Sequence, residues 1–163
     1  MPTERILVQV AGETNVGRKR NHNEDSFTII EEENLYLVAD GMGGHASGEI
    51  ASQLAIETIK NFFQATGEDP DATWPYKMDK GRKYEENRLV TGIKLANLRI
   101  FEAAQAEAKY RGMGTTVTAV FLVQEGVYIA HVGDSRIYRF RDGQIEQLTE
   151  DHSLLNDYMK MKK

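Results

Sequence analysis

Two apolar runs, SFTII (26–30) and LYLVA (35–39), stand only EEEN apart, and this constrains the chain more than any other feature. Both runs have strand length and β-branched or aromatic content. A connection this short suits an antiparallel hairpin, because a parallel crossover needs about a dozen residues or more. Closing the hairpin on EEEN sets Ile30 opposite Leu35, so Asp25 falls opposite Asp40 and Glu24 opposite Gly41. Directly opposed residues hold their Cβ atoms about 4.5–5.5 Å apart. Two carboxylates at that range repel, and one takes up a proton unless a cation sits between them. The open end of the hairpin is therefore either a solvated acidic strand entry or one side of a hard-metal site. Gly41, lacking a Cβ, has the backbone freedom to aim its carbonyl at the same ion.

The same stretch continues as LYLVADGMGGHASGEIAS, a strand, a glycine-rich turn and a helix start. Gly41, Gly43 and Ala46 spell G-x-G-x-x-A, the dinucleotide fingerprint. That fingerprint needs an acid about 20 residues on, at the end of a second parallel strand. Only Glu68 and Asp69 stand near that distance, in a loop directly after a helix, so the nucleotide reading is set aside. Gly43 and Gly44 then serve to turn the chain from strand into helix.

Arg20 precedes Glu24 by four residues, near the open end of the hairpin. A guanidinium binds phosphate bidentately and keeps its charge; taken on its own, an arginine within Arg18-Lys19-Arg20 is more often a solvated charge. Asp134, in HVGDSRIYRF, follows an apolar strand at a tight turn, where a third acid could join the cluster. Ser135 lacks the G-x-S-x-G elbow of a nucleophile. His131 sits in a strand and reads as structural, and His22, His45 and His152 stand isolated, which argues against zinc.

The remaining pattern gives a strand at 5–11 (RILVQVA), a helix from Ser47 to Phe63, and a loop through TGEDPDATWPYKMDKG. A second helix follows over Arg82–Tyr110, then four strands, TTVTAVFLV, VYIAHV, RIYRF and QIEQL, and a polar helical stub, HSLLNDYMKMKK. Gly stands at two joints, Glu125-Gly126 and Asp142-Gly143, and Asp-Gly suits a type I′ hairpin turn. Strands, two helices, then strands indicate an α+β fold with antiparallel sheets, in a single domain over residues 1–163. A formal charge of −5 without a basic stripe argues against nucleic acid. No cysteine is present, so thiolate metal sites and a cysteine nucleophile are excluded. No stretch reaches transmembrane length or forms a secretory leader, which gives no membrane partner and a cytoplasmic location as expectations.

R20-x-x-N23-E24-D25, V38-A39-D40-G41-M42-G43-G44-H45, G114-T115-T116 and V132-G133-D134-S135-R136 with L148-T149-x-D151-H152-S153 occur in that order. Together they resemble the successive motifs of the metal-dependent protein Ser/Thr phosphatases, the PPM or protein phosphatase 2C family, in its bacterial form. The resemblance implies an α-β-β-α sandwich and a binuclear Mn²⁺ or Mg²⁺ centre, with a third, weaker metal site. It implies Asp40 as bridging ligand, Gly41 as carbonyl ligand and Glu24 as a further acid, with Asp25 supporting them, Asp134 at the third metal and Arg20 on phosphate. The implied reaction is hydrolysis of phospho-Ser/Thr proteins of kinase signalling by a metal-activated water, without a phosphoenzyme.

Two departures qualify this. Met42 stands where animal members of the family carry a histidine proposed as general acid. The family's Ser-Asp-Gly and late Asp-Asn metal ligands have no match, so the chain reads as the N-terminal two thirds of such a domain, weakly active or inactive. The alternative expectation is a non-catalytic PPM-like module that binds a partner or dimerises through an open sheet edge.

Overall fold

The computed structural model describes residues 6–44, 47–153 and 160–161. Strands β1 (Asp25–Ile30) and β2 (Leu35–Met42) form the expected hairpin, with Ile30 opposite Leu35 and Asp25 opposite Asp40. Glu31–Glu33 make one 3₁₀ turn, and Asn34 closes it in the left-handed conformation at φ 51°, where asparagine is tolerated better than most residues. Helices α1 (Ser47–Glu68) and α2 (Tyr84–Ala106) follow. The second is shorter than its apolar stripe suggests, since Ala108–Tyr110 tighten into a separate 3₁₀ turn.

Strands β3 (Gly114–Thr115), β4 (Val117–Val123) and β5 (Gly126–Val132) complete a five-stranded antiparallel sheet, ordered β1-β2-β4-β5 with β3 on the end of β2. Strands β6 (Tyr138–Arg141) and β7 (Gln144–Gln147) form a separate hairpin. Its turn carries Asp142 at φ 52° and Gly143 at φ 74°, the two positive values a type I′ turn requires. Gly126 instead opens β5 opposite Val123, so that turn consists of Gln124 and Glu125.

Side chains alternate across a strand, and here the alternation separates core from site. Leu35, Leu37 and Ala39 of β2 and Val117, Ala119 and Phe121 of β4 face the helices and are buried. They pack on Ala55, Ile56, Ile59, Phe62 and Phe63 of α1, joined by Leu89 and Ala96 of α2. Edge-to-face contacts of Phe63 with Phe121 (5.2 Å) and of Phe62 with Trp74 (5.4 Å) tie sheet, helix and loop together. Asp25, Phe27, Val38 and Asp40 lie on the other face, where Val38 remains half-exposed. The fold is thus α+β, as expected; among the described residues, the sandwich is represented by one helix layer on one five-stranded sheet and by the β6–β7 hairpin.

The strand expected at 5–11 is not formed by residues 6–11. A strand needs a ladder partner, and this segment instead leads across the open face, where Gly12 sits against the Phe27 ring. A Cβ on Gly12 would come within 2.4 Å of that ring. Most of the expected C-terminal stub, residues 154–159, lies outside the described residues, as do His45 and Ala46.

One buried cation locks the far end of the core. Arg88 of α2 is 7% exposed and pairs with Glu33 at 2.8 Å. It also donates to the Thr66 hydroxyl at 2.9 Å and to the Phe63 carbonyl, and its guanidinium lies 4.3 Å from the centre of the Phe63 ring. Three elements meet there: the hairpin link, the last turns of α1, and α2. Gly67 leaves the necessary room, since a Cβ there would come within 1.8 Å of the Glu33 carboxylate. Removing one partner of a buried pair strands the other, which typically costs about 3–5 kcal/mol. Arg88→Ala should therefore lower the unfolding free energy by that amount, read from urea titrations followed by circular dichroism, whereas breaking the exposed pair Lys83–Glu125 should change stability little.

Candidate metal centre

The Gly41 N–H donates to the Glu24 carbonyl at 3.0 Å. This makes 24/41 a hydrogen-bonded position of the ladder and 25/40 a non-hydrogen-bonded one, the kind in which side chains stand closer. Asp25 and Asp40 thus oppose each other on the open face of the sheet. Partial burial raises the Asp40 carboxyl above its ordinary value of 3.8, and the Asp25 carboxylate raises it further, as a nearby charge and as a hydrogen-bond partner. Asp134 adds to the rise, and Arg20 opposes it. Those four groups therefore share one electrostatic neighbourhood.

Glu24 lies elsewhere. One position removed from Asp25, it follows the alternation to the helix side, where its carboxyl lies against Gly48 in the first turn of α1. That position suits an anion, because the unpaired N–H groups of a helix N-terminus carry partial positive charge. The three acids expected at one end of the hairpin are thus two facing one way and one facing the other. Gly41 is also required for a reason other than backbone freedom. It is buried under α1, and a Cβ there would come within 1.9 Å of the Gly48 carbonyl oxygen.

Two further residues build the site, Thr116 and His152, which the sequence motifs include but to which the sequence reading gave no role. Thr116 interrupts the run TTVTAVFLV between β3 and β4. Its N–H donates to the Asp40 carbonyl at 2.9 Å, and its hydroxyl accepts the Asp40 N–H at 3.0 Å. The same hydroxyl bonds the Ser135 hydroxyl at 2.6 Å, next to Asp134. His152, read as isolated, stacks on His131 at 4.5 Å between ring centres. It exchanges bonds with Gly133, accepting its N–H at Nδ1 and donating its own N–H to the carbonyl, both at 3.1 Å. Arg136 forks onto Asp151 at 2.9 and 2.7 Å, and this holds the Asp151 carboxyl below the usual carboxylate range. A separation of at least 15 residues between these partners hides their pairing from any local sequence pattern.

The donor set fits a hard divalent cation. It consists of oxygens alone, and it opposes two carboxylates that a cation would reconcile. Among the described residues, no three acidic or histidine side chains form a complete cage. Mg²⁺ and similar ions commonly take one or two protein carboxylates and keep several waters, so the pair supplies a partial shell of a familiar kind.

Opposed carboxylates beside an arginine, on a helix-backed antiparallel sheet, form the type of site used for metal-dependent phosphoester chemistry. The chain belongs to the protein phosphatase 2C family, whose model matches residues 14–161. It is similar to a putative protein phosphatase 2C-type of Streptococcus pyogenes serotype M6, with 35% identity over 161 residues, covering 94% of this chain and 58% of the relative. It superposes on the serine/threonine phosphatase PstP/Ppp of Mycobacterium tuberculosis with a TM-score of 0.75 and 31% identity, over 92% of this chain and 57% of that one. The PstP catalytic domain in complex with two manganese ions matches with a TM-score of 0.72 and 31% identity, over 92% and 58% of the two chains. The chain therefore spans a little over half the length of these relatives.

The raised Asp40 value fixes a sign for pH dependence. The folded chain binds this proton more tightly than the unfolded chain, so the group favours folding in acid. That contribution is lost as pH rises from the ordinary value of 3.8 through the raised one. In EDTA, Asp40→Asn should remove this loss, so that its stability relative to wild type increases between pH 4 and 7 in urea titrations. Equal pH slopes for the two proteins would contradict the assignment.

Proposed function

We propose that this chain carries the metal-binding and phosphate-binding part of a protein Ser/Thr phosphatase, acting on phosphorylated Ser/Thr proteins of kinase signalling. The observation that carries the reading is the opposition of Asp25 and Asp40 on an exposed sheet face, with Arg20 and Asp134 in the same field. Mn²⁺ or Mg²⁺ held there supplies charge neutralisation and a water acidified enough to act as nucleophile near neutral pH.

The chain's own residues have separable tasks. Asp40 and Asp25 hold cations, with the Gly41 carbonyl as a further oxygen donor and Glu24, which lies toward the α1 N-terminus, acting through a bound water. Asp134 stands where it can help hold a third, weaker ion. Arg20 is exposed and unencumbered by an ion pair among the described residues, so its guanidinium is available to orient a phosphoryl group. Met42 offers no proton, and no side chain is assigned as general acid.

A second reading, a non-catalytic module that pairs with a partner or with itself, is favoured by one observation. Phe140 and Ile145 oppose each other on the β6–β7 hairpin and are 73% and 72% exposed. The two readings differ in outcome. Mn²⁺-dependent hydrolysis of p-nitrophenyl phosphate is measured for this chain and for one lengthened to the span of its relatives, with native mass in parallel. Asp40→Asn should lower the rate by roughly a hundredfold or more, the scale of losing one preorganised electrostatic partner. An inactive longer protein, or an unchanged rate in Asp40→Asn, rules out the phosphatase reading, and a dimeric mass then favours the module.

A further inference from the structure

We infer that the Thr116 hydroxyl is the positioning joint of the metal centre, setting the separation between the Asp40 and Asp134 carboxylates. This rests on the phosphatase reading for the identity of the ion, and on geometry alone for the joint.

The local ladder has been rearranged around this one side chain. In a regular antiparallel pair the Asp40 N–H would seek a main-chain carbonyl. Here it bonds the Thr116 hydroxyl, while the Thr116 carbonyl accepts instead from the Thr115 hydroxyl at 2.8 Å. A hydroxyl has one proton and two acceptor sites. Thr116 Oγ1 can therefore take the Asp40 N–H and still share a bond with Ser135 Oγ at 2.6 Å. The methyl of the same side chain packs beneath Gly133, where a Cβ would lie 2.6 Å from Cγ2 and where φ is +105°. Thr116 thus grips the backbone of Asp40 on one side and both flanks of Asp134 on the other. Its hydrogen bonds reach the Asp40 backbone and the Ser135 hydroxyl and not either carboxylate, so Thr116 acts through the two acids and is a positioning residue rather than a catalytic one.

Valine nearly matches threonine in shape but lacks the hydroxyl, and serine keeps the hydroxyl with less bulk. Mn²⁺ titrations of the 163-residue chain, followed by NMR line broadening, separate these contributions. Thr116→Val should weaken Mn²⁺ binding by about tenfold, the scale on which groups behind a metal's ligands act. Thr116→Ser should retain wild-type values, and Ser135→Ala, which cuts the joint from its other end, should weaken binding in the same direction. Without metal, the Gly133, Asp134 and Ser135 amide peaks should shift further in Thr116→Val than in Thr116→Ser. Wild-type binding by a folded Thr116→Val, or a serine variant as weak as valine, overturns the inference. If Thr116→Val does not fold, an unchanged Ser135→Ala overturns it equally. A wild-type chain that binds no Mn²⁺ sinks the metal reading, and the metal-free amide peaks still decide the joint.

Discussion

With Ile30 opposite Leu35, every residue of the first hairpin is committed to one face of the sheet. A slip of one residue would turn Leu35, Leu37 and Ala39 toward solvent and bring Tyr36, Val38 and Asp40 beneath the helices. Burial of an uncompensated carboxylate there would cost several kcal/mol at least. The left-handed Asn34 and its short turn fix that register locally, and the Leu122 N–H bond to the Asn34 carbonyl at 2.9 Å ties it to β4. The core and the acid pair thus depend on the same few residues.

Charge is distributed on this frame according to what each position can stabilise. Glu24 rests at a helix N-terminus, and Glu33 is buried only because Arg88 meets it. Among the described residues Asp25 and Asp40 have no such partner in contact, and the raised Asp40 value is the electrostatic record of that conflict. A fold that compensates Glu24 and Glu33 but leaves one exposed pair in opposition holds a site that a cation would stabilise. Arg20 reduces the conflict without removing it, which leaves its guanidinium usable by an anion arriving from solvent.

Most of this was legible where local chemistry decides the outcome. The EEEN link specified the hairpin and its register, Asp142-Gly143 specified the second hairpin, and helical periodicity found both helices. The reading failed where tertiary contact decides. Residues 6–11 have strand composition but no ladder partner among the described residues. Gly41 was assigned to backbone freedom, whereas the approach of α1 excludes a Cβ. Glu24 was grouped with Asp25 by proximity in sequence, although adjacent strand residues point to opposite faces. His152 read as isolated because its partners, His131 and Gly133, are brought beside it only when β5 and the segment after β7 come together.

That last contact explains why the separated motifs around Asp134 behave as one object. The turn Gly133-Asp134-Ser135 has a positive φ at Gly133 and an exposed acid at its centre, so it has little burial of its own to hold it. From one side Thr116 bonds Ser135 and packs under Gly133. From the other, His152 bonds both backbone groups of Gly133, Asp151 clamps Arg136, and the Thr149 hydroxyl accepts the Ile137 N–H at 3.2 Å. A loop acid can serve as a metal ligand only if its backbone is held to within a fraction of an ångström, and loops do not achieve this unaided. The residues flanking Asp134 are therefore explained by the mechanical constraint they place on that turn.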